Sequence, residues 1–327
     1  MSQQVLHRCA WEPVTAADEA LYSTFFSRSA EPFSYENNWA FISQEARVSG
    51  LRHEGGGMLL TAVSKADDSP FIFILPPSGN THNFRAHILE AVAALAASSG
   101  KRVVLRKLPP HLCEQVLQTG RFTVLPPSAF THPRDVPEDQ FPQVVLDVAN
   151  TLKMDGSRYR RMRNDLKNFA RQFSPEVLDL DPANVGEVER MIHGWCQEYN
   201  SRHARLSGAP ESTTVDPSAY TVLARRFASA IDNSNCFAKL VRIGPSVVAF
   251  TLAGRVGPDC AAQYANLSIL RARGCSEFLV FELLRELSAA GIAFLNLGGA
   301  ETEGQFRFKK KFDVRLIKES FEVEYTP

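Results

Sequence analysis

The chain has 327 residues, 44% of them hydrophobic and 10% aromatic, enough to bury one large core or two of ordinary size. Lys plus Arg and Asp plus Glu number 36 each, so no overall basic bias draws the chain to nucleic acid or membranes, and any anion site has to be local. No apolar run approaches the ~18 residues that cross a bilayer, and the start, MSQQVLHRCAWEP, lacks the basic and apolar regions of a signal peptide, which predicts a cytoplasmic protein.

In chain order, the glycines Gly55 to Gly57 lie between strand-like stretches and read as a hairpin turn. PFIFILPPSG then reads as a strand, THNFRAHILEAVAALAASSG as an amphipathic helix closed by a glycine, and RVVLRKL as another strand. The proline-rich FTVLPPSAFTHPRDVPEDQFPQ reads as a linker or covering loop. After the strand QVVLDVA the boundary falls near Asn150, giving domains over residues 1–150 and 151–327. The second half repeats the order of the first: CAAQYANLSIL as strand, GCSEFLVFELLRELSAAG as helix ending in Gly291, IAFLNLGG as strand. Two copies of one α/β unit account for the echo.

SRYRRMRNDLKNFARQF opens the second half. Tyr159, Met162, Leu166, Phe169 and Phe173 recur at spacings of three and four and form the apolar face of a helix. Arg160, Arg163, Lys167 and Arg171 form a second stripe at the same spacing, spanning about 16 Å. Like charges so spaced cost a helix ~0.2 to 0.5 kcal/mol per pair, and only Arg161 has an acid, Asp165, four residues on. The stripe reads either as a surface ladder paired with acids from elsewhere or as a rail for phosphates.

The stretch NLGGAETEGQFRFKKKFDV gathers glycines, acids, cations and phenylalanines at the end of the chain. Thr302 and Gln305 form a T-x-x-Q capping box, so a short helix starts there, just after a strand ending at Gly298 and Gly299. The glycines open the backbone to an anion or a carbonyl oxygen. Phe308 and Phe312 share one face, while Arg307, Lys309, Lys310 and Lys311 point to other sides. Cys9, Cys113, Cys196, Cys236, Cys260 and Cys275 are scattered, with no C-x-x-C pair, and the histidines show no H-x-x-x-H spacing. The cysteines read as buried thiols, and no metal site is expected.

The segments GSRYRRMRNDLKNFARQF and FLNLGGAETEGQFRFKKKF together resemble the phosphatidylglycerol lysyltransferase C-terminal domain family, which is related to the Fem-type aminoacyl transferases. The resemblance covers most of residues 151–327 and, more loosely, the first half through YENNWAF. It implies an α/β (α+β) fold of tandem GNAT-like acyltransferase domains, each a mixed, mostly antiparallel sheet flanked by helices, with the chemistry in the second. It implies aminoacyl-tRNA as donor, an amine or hydroxyl of a small molecule, peptide or lipid headgroup as acceptor, and no cofactor. Lys309 matches the motif lysine placed near the reacting ester, and Arg163 and Asn164 match the characteristic pair of the basic helix, which with Arg160, Lys167, Gly298, Gly299 and Arg307 would bind substrate. The missing membrane-spanning part sets this chain apart from the lipid-modifying members.

An aminoacyl ester is already activated, so the chemistry needs positioning, oxyanion stabilisation and a route for one proton, which Glu301 or Glu303 could supply. Two alternatives stay open. In RARGCS, Arg271, Gly274 and Ser276 approximate the turn with which GNAT enzymes hold the pyrophosphate of acyl-CoA, which would make the chain an acyl-CoA-dependent N-acyltransferase. The other is a GNAT-like binding module without catalysis.

Overall fold

The computed structural model describes residues 10–29, 34–45, 50–64, 68–126, 141–207, 215–230, 233–269 and 274–327. The first half contributes the strands β1 (Glu12–Pro13), β2 (Leu51–Gly55), β3 (Met58–Val63), β4 (Phe71–Ile74), β5 (Ser78–Gly79), β6 (Arg102–Leu108) and β7 (Phe122–Val124). Then follow β8 (Gln143–Asp147), β9 (Glu176–Asp179), β10 (Cys236–Ile243), β11 (Ser246–Arg255), β12 (Cys260–Ser268), β13 (Phe294–Asn296), β14 (Val314–Lys318) and β15 (Phe321–Tyr325).

They form two sheets among the described residues, in the orders β1-β2-β3-β4-β6-β15-β7, with β5 beside β3, and β14-β8-β13-β12-β11-β10-β9. Each has one parallel pair, β4 with β6 and β12 with β13, and is otherwise antiparallel. Each parallel pair is joined by a helix, Phe84–Ser99 in the first sheet and Cys275–Ala289 in the second, so the echo in the sequence is a repeated strand–helix–strand unit. Both helices stop at left-handed glycines, Gly100 (φ 64°) directly at the cap and Gly291 (φ 73°) one residue beyond it. The glycine run is the expected hairpin: Gly55 pairs with Met58, and Gly56 and Gly57 take φ of 59° and 80°.

One strand crosses between the sheets. Beyond β6 the first sheet continues with β15, the last strand of the chain, and then β7, while beyond β13 the second continues with β8, its first strand in the sequence, and then β14. The change of sheet therefore falls before Gln143 and not at Asn150, and residues 321–325 return to the first sheet. Of the proline-rich stretch, Phe122–Val124 is β7, and residues 127–140 lie outside the described residues.

Apolar clusters fill both faces of each sheet. In the second, Leu240, Phe250, Leu252 and Tyr264 pack under the helices Val185–Ser207 and Pro217–Ser229, while Phe237, Ala253, Leu295 and Phe281 pack on the other face. The basic helix Arg160–Phe173 buries Met162 and Phe169, and Tyr159 is buried just before it, as their spacing requires; each such side chain contributes roughly 1.5 to 3 kcal/mol.

Candidate active site

The pairing of β12 with β13 is short: Cys260 with Phe294, Ala261 with Leu295, Ala262 with Asn296. Past that point β12 runs on to Ser268 against β11, while Leu297 and Gly298 follow β8 through bonds to Val144 of 2.8 and 3.2 Å. The parallel strands therefore diverge, and the split between them faces Gln263 on one side and Gly298 on the other. Asn296 holds the fork. Its amide donates to Gln143 Oε1 at 2.8 Å, and its Oδ1 accepts from the Gly298 N–H at 2.8 Å. On β12, Asn266 Oδ1 is buried with no hydrogen-bond partner among the described residues.

The short helix starts as its cap predicts, with Thr302 Oγ1 accepting from Gln305 N at 3.2 Å over Glu303–Lys309. The Gln305 side chain reaches one residue further back than in a capping box and accepts from Glu301 N at 2.9 Å. Lys309 turns back from the last turn to the chain just beyond β13: its ammonium donates to the carbonyls of Leu297 (2.6 Å), Gly298 (3.2 Å) and Gly299. Gly298 and Gly299 thus meet Lys309 through their carbonyls. Glu303 is tied to Arg307 at 2.5 Å, both exposed on the outer face of the helix. Glu301 is exposed near Tyr199, whose phenol is pushed above its usual pKa by burial first and by the Glu301 charge second. Lys310 lies over the Phe306 ring and Lys311 donates to Glu277 at 2.9 Å, so Lys309 alone of the three lysines points at the strand end. Phe308 and Phe312 meet edge to face at 5.5 Å on the core side.

One side chain at the split comes from the other half, from the YENNWAF stretch. Tyr35 donates its hydroxyl to the Gln263 carbonyl at 2.9 Å, and Tyr264 donates to the Tyr35 carbonyl at 3.0 Å. Burial holds the Tyr264 phenol well above its usual pKa, so it keeps the proton it donates. The Tyr35 ring lies against Gly298, whose φ is 70° and whose absent Cβ would stand 2.8 Å from Tyr35 Cε2.

The basic helix divides its cations. Arg160, Asn164, Lys167 and Arg171 are exposed along one line, with no ion pair among the described residues for Arg160 or Lys167. Arg163 leaves that line and donates to the carbonyls of Met154 and Gly156, holding the loop before the helix. A cleft of about 580 Å³ lies beside the helix, lined by Arg158, Arg161, Asp165, Gly274, Ser276, Glu277 and Lys311. Gly274 (φ 84°) caps the helix Cys275–Ala289 there, and Ser276 Oγ lies 2.5 Å from Ser268 Oγ; Arg271 lies outside the described residues. The cleft is not a pool of free charge: Arg158 pairs with Asp313, Arg161 with Asp165 at 3.8 Å, and Lys311 with Glu277. An incoming phosphate competes with those acids. Sequence reading found Gly274 and Ser276 but missed Arg158 and Lys311, which only the fold brings to them.

Cysteine chemistry does not fit the site. Burial raises the thiols of Cys236 to about 11 and of Cys260 and Cys275 to about 12, so none is a thiolate at neutral pH. Among the described residues no helix is long and apolar enough to cross a membrane.

Two sheets with one parallel, helix-joined pair each make a tandem GNAT-like fold. The same fold is found in FemX (TM-score 0.64, 10% identity, 97% of each chain) and in a tandem GNAT protein from the clavulanic acid biosynthesis pathway (0.51, 10%, 96% of this chain and 97% of that one). A conserved protein of unknown function from Bacteroides thetaiotaomicron superposes with a TM-score of 0.77 at 13% identity, over 97% of this chain and all of the other. No curated protein matches the sequence. The family described as phosphatidylglycerol lysyltransferase, C-terminal, matches residues 28–313, and the chain belongs to it. It is accordingly an acyltransferase of the aminoacyl-transferring kind.

Proposed function

We propose that the second half takes an aminoacyl group from aminoacyl-tRNA and passes it to an amine or hydroxyl of a small molecule, a peptide or a lipid headgroup in the cytoplasm. The observation that carries this reading is the Lys309 ammonium just beyond the end of β13, held by the carbonyls of Leu297, Gly298 and Gly299. The acceptor nitrogen or oxygen attacks the ester carbonyl, the bond to the ribose oxygen breaks, and the proton lost by the nucleophile ends on that oxygen. The step needs no covalent intermediate on the protein. Lys309 acts by exchanging one carbonyl partner for the developing oxyanion, where a charged donor in a site shielded from water is worth most. Glu301 is the carboxylate candidate for the proton, because Glu303 is tied to Arg307 on the outer face. Arg160, Asn164 and Lys167, and across the helix Arg158, Arg161 and Lys311, are the groups that would meet the phosphates of the donor.

The second reading, transfer from acyl-CoA, draws on the cleft at Gly274 and Ser276, where a left-handed glycine opens a helix N-terminus toward a space that could take a pyrophosphate. The test incubates the protein with a pool of tRNA charged with labelled amino acids, or with acetyl-CoA, beside phosphatidylglycerol vesicles and simple amines. Loss of label from tRNA with acetyl-CoA untouched supports the first reading; the opposite pattern selects the second.

A further inference from the structure

Where two parallel strands diverge, the edges they turn to each other offer backbone N–H and C=O groups that an extended, amide-bearing chain can take up as an added strand. In this protein that gap holds a side chain of the other half. Tyr35 spans it, with its hydroxyl on the Gln263 carbonyl of β12 and its ring against Gly298 on the continuation of β13. Gln263 is the first residue of β12 beyond the last pair with β13. The ring is packed in a cluster of three. Tyr264 meets it at 5.0 Å and Phe41 at 5.5 Å, the two of them stacked at 4.8 Å. From the first half, Lys107 Nζ stands 5.5 Å from the ring centroid and 3.6 Å from the buried carboxylate of Glu36.

We propose that Tyr35 is the specificity-determining residue of the second half: it closes the split against an extended amide-bearing arm such as the pantetheine of CoA, and so reserves the site for an acyl group that arrives as a compact ester. The proposal deepens the reading of the second half as the site of transfer, and it explains how a fold shared with a tandem GNAT protein can turn away an acyl-CoA even though a cleft at Gly274 is open to phosphates. A residue that merely filled the core would contribute stability but would have no bearing on which ligand the split accepts.

The test compares CoA with adenosine 3′,5′-bisphosphate, which carries the nucleotide but no pantetheine arm, by calorimetric titration of the whole chain. In the unaltered protein the two should bind within about threefold of each other, because the arm finds its place taken. Tyr35→Ala should raise the affinity for CoA by about tenfold or more and leave that for the bisphosphate unchanged. Tyr35→Leu, which keeps an apolar contact with Phe41 and Tyr264, should fold as the parent does and shift the ratio the same way by a smaller factor. A ratio unchanged in the folded variants, a parent protein that already prefers CoA tenfold, no measurable binding of CoA by any of the three, or the unfolding of both variants would overturn the proposal. Because the readout is a ratio of affinities, failure to transfer an aminoacyl group would count against the proposed function and leave this result standing on its own.

Discussion

Gly298 and Tyr35 come from opposite halves of the chain and fit so closely that a Cβ on the glycine would stand 2.8 Å from the ring. Gly298 also has φ 70°, which costs any other L-residue about 1 to 2 kcal/mol. Gly298→Ala should therefore lose about 2 to 4 kcal/mol in urea unfolding, from strain and clash together. Adding Tyr35→Ala removes the clash but not the strain, so the double variant should be more stable than the sum of the singles by at least about 0.5 kcal/mol. Strict additivity would mean that the two residues do not touch.

Glu322 on β15 sits beside Arg106, 3.5 Å away, and burial pushes its carboxyl up to about 7 against the pull of Arg106 and Lys107, with Glu36 adding to the rise. The unfolded chain ionises the same group near pH 4.3, so between that pH and about 7 the folded state holds the extra proton. Stability should fall as pH rises through this window and level off above it. Glu322→Gln should remove that component, flattening the melting temperature between pH 5 and 7 relative to the parent. Equal slopes in the two proteins would place the ionisation of Glu322 elsewhere.

The basic helix separates phosphate binding from a structural tie. Removing Arg160, Lys167 and Arg171 together by substitution with Gln should lower the salt dependence of tRNA binding, by about 0.7 to 0.9 in log–log slope for each phosphate no longer neutralised. Arg163→Gln should leave the slope unchanged and instead lower the melting temperature, because its guanidinium is committed to Met154 and Gly156. The reverse assignment, a slope change for Arg163 alone, would contradict this division.

Much of this architecture is written locally. The repeated strand–helix–strand units follow from apolar runs and glycine stops, the apolar face of the basic helix from Tyr159, Met162 and Phe169, and the start of the last helix from Thr302 and Gln305. What escaped was set by pairings across the chain. β15 looks like any strand of its neighbourhood, and nothing local to it says that it joins the sheet of the first half; nor does anything local to β8 say that it opens the second sheet. Tyr35 and Gln263 stand 228 residues apart, so a tyrosine in YENNWAF carries no sign of its partner. Arg163 shares the spacing of the exposed cations, yet the turn at Met154 brings carbonyls within its reach. Lys309 stands out by resemblance, and only the fold supplies its three carbonyl partners.

Lys309 and its neighbour Lys310 provide the most direct test of aminoacyl transfer in the second half. Lys309→Met keeps the length and apolar stem of the side chain; Lys310, exposed over Phe306, is the control. The measurement is single-turnover consumption of the aminoacyl-tRNA ester by the parent and the two variants, below the melting temperature of each. Aminoacyl transfer at this site predicts consumption by the parent, a loss of about 10² to 10³ in rate, roughly 2.7 to 4 kcal/mol, for Lys309→Met, and less than about tenfold for Lys310→Met. Equal, small losses at the two positions, or a parent protein that leaves the ester intact while consuming acyl-CoA, would contradict it.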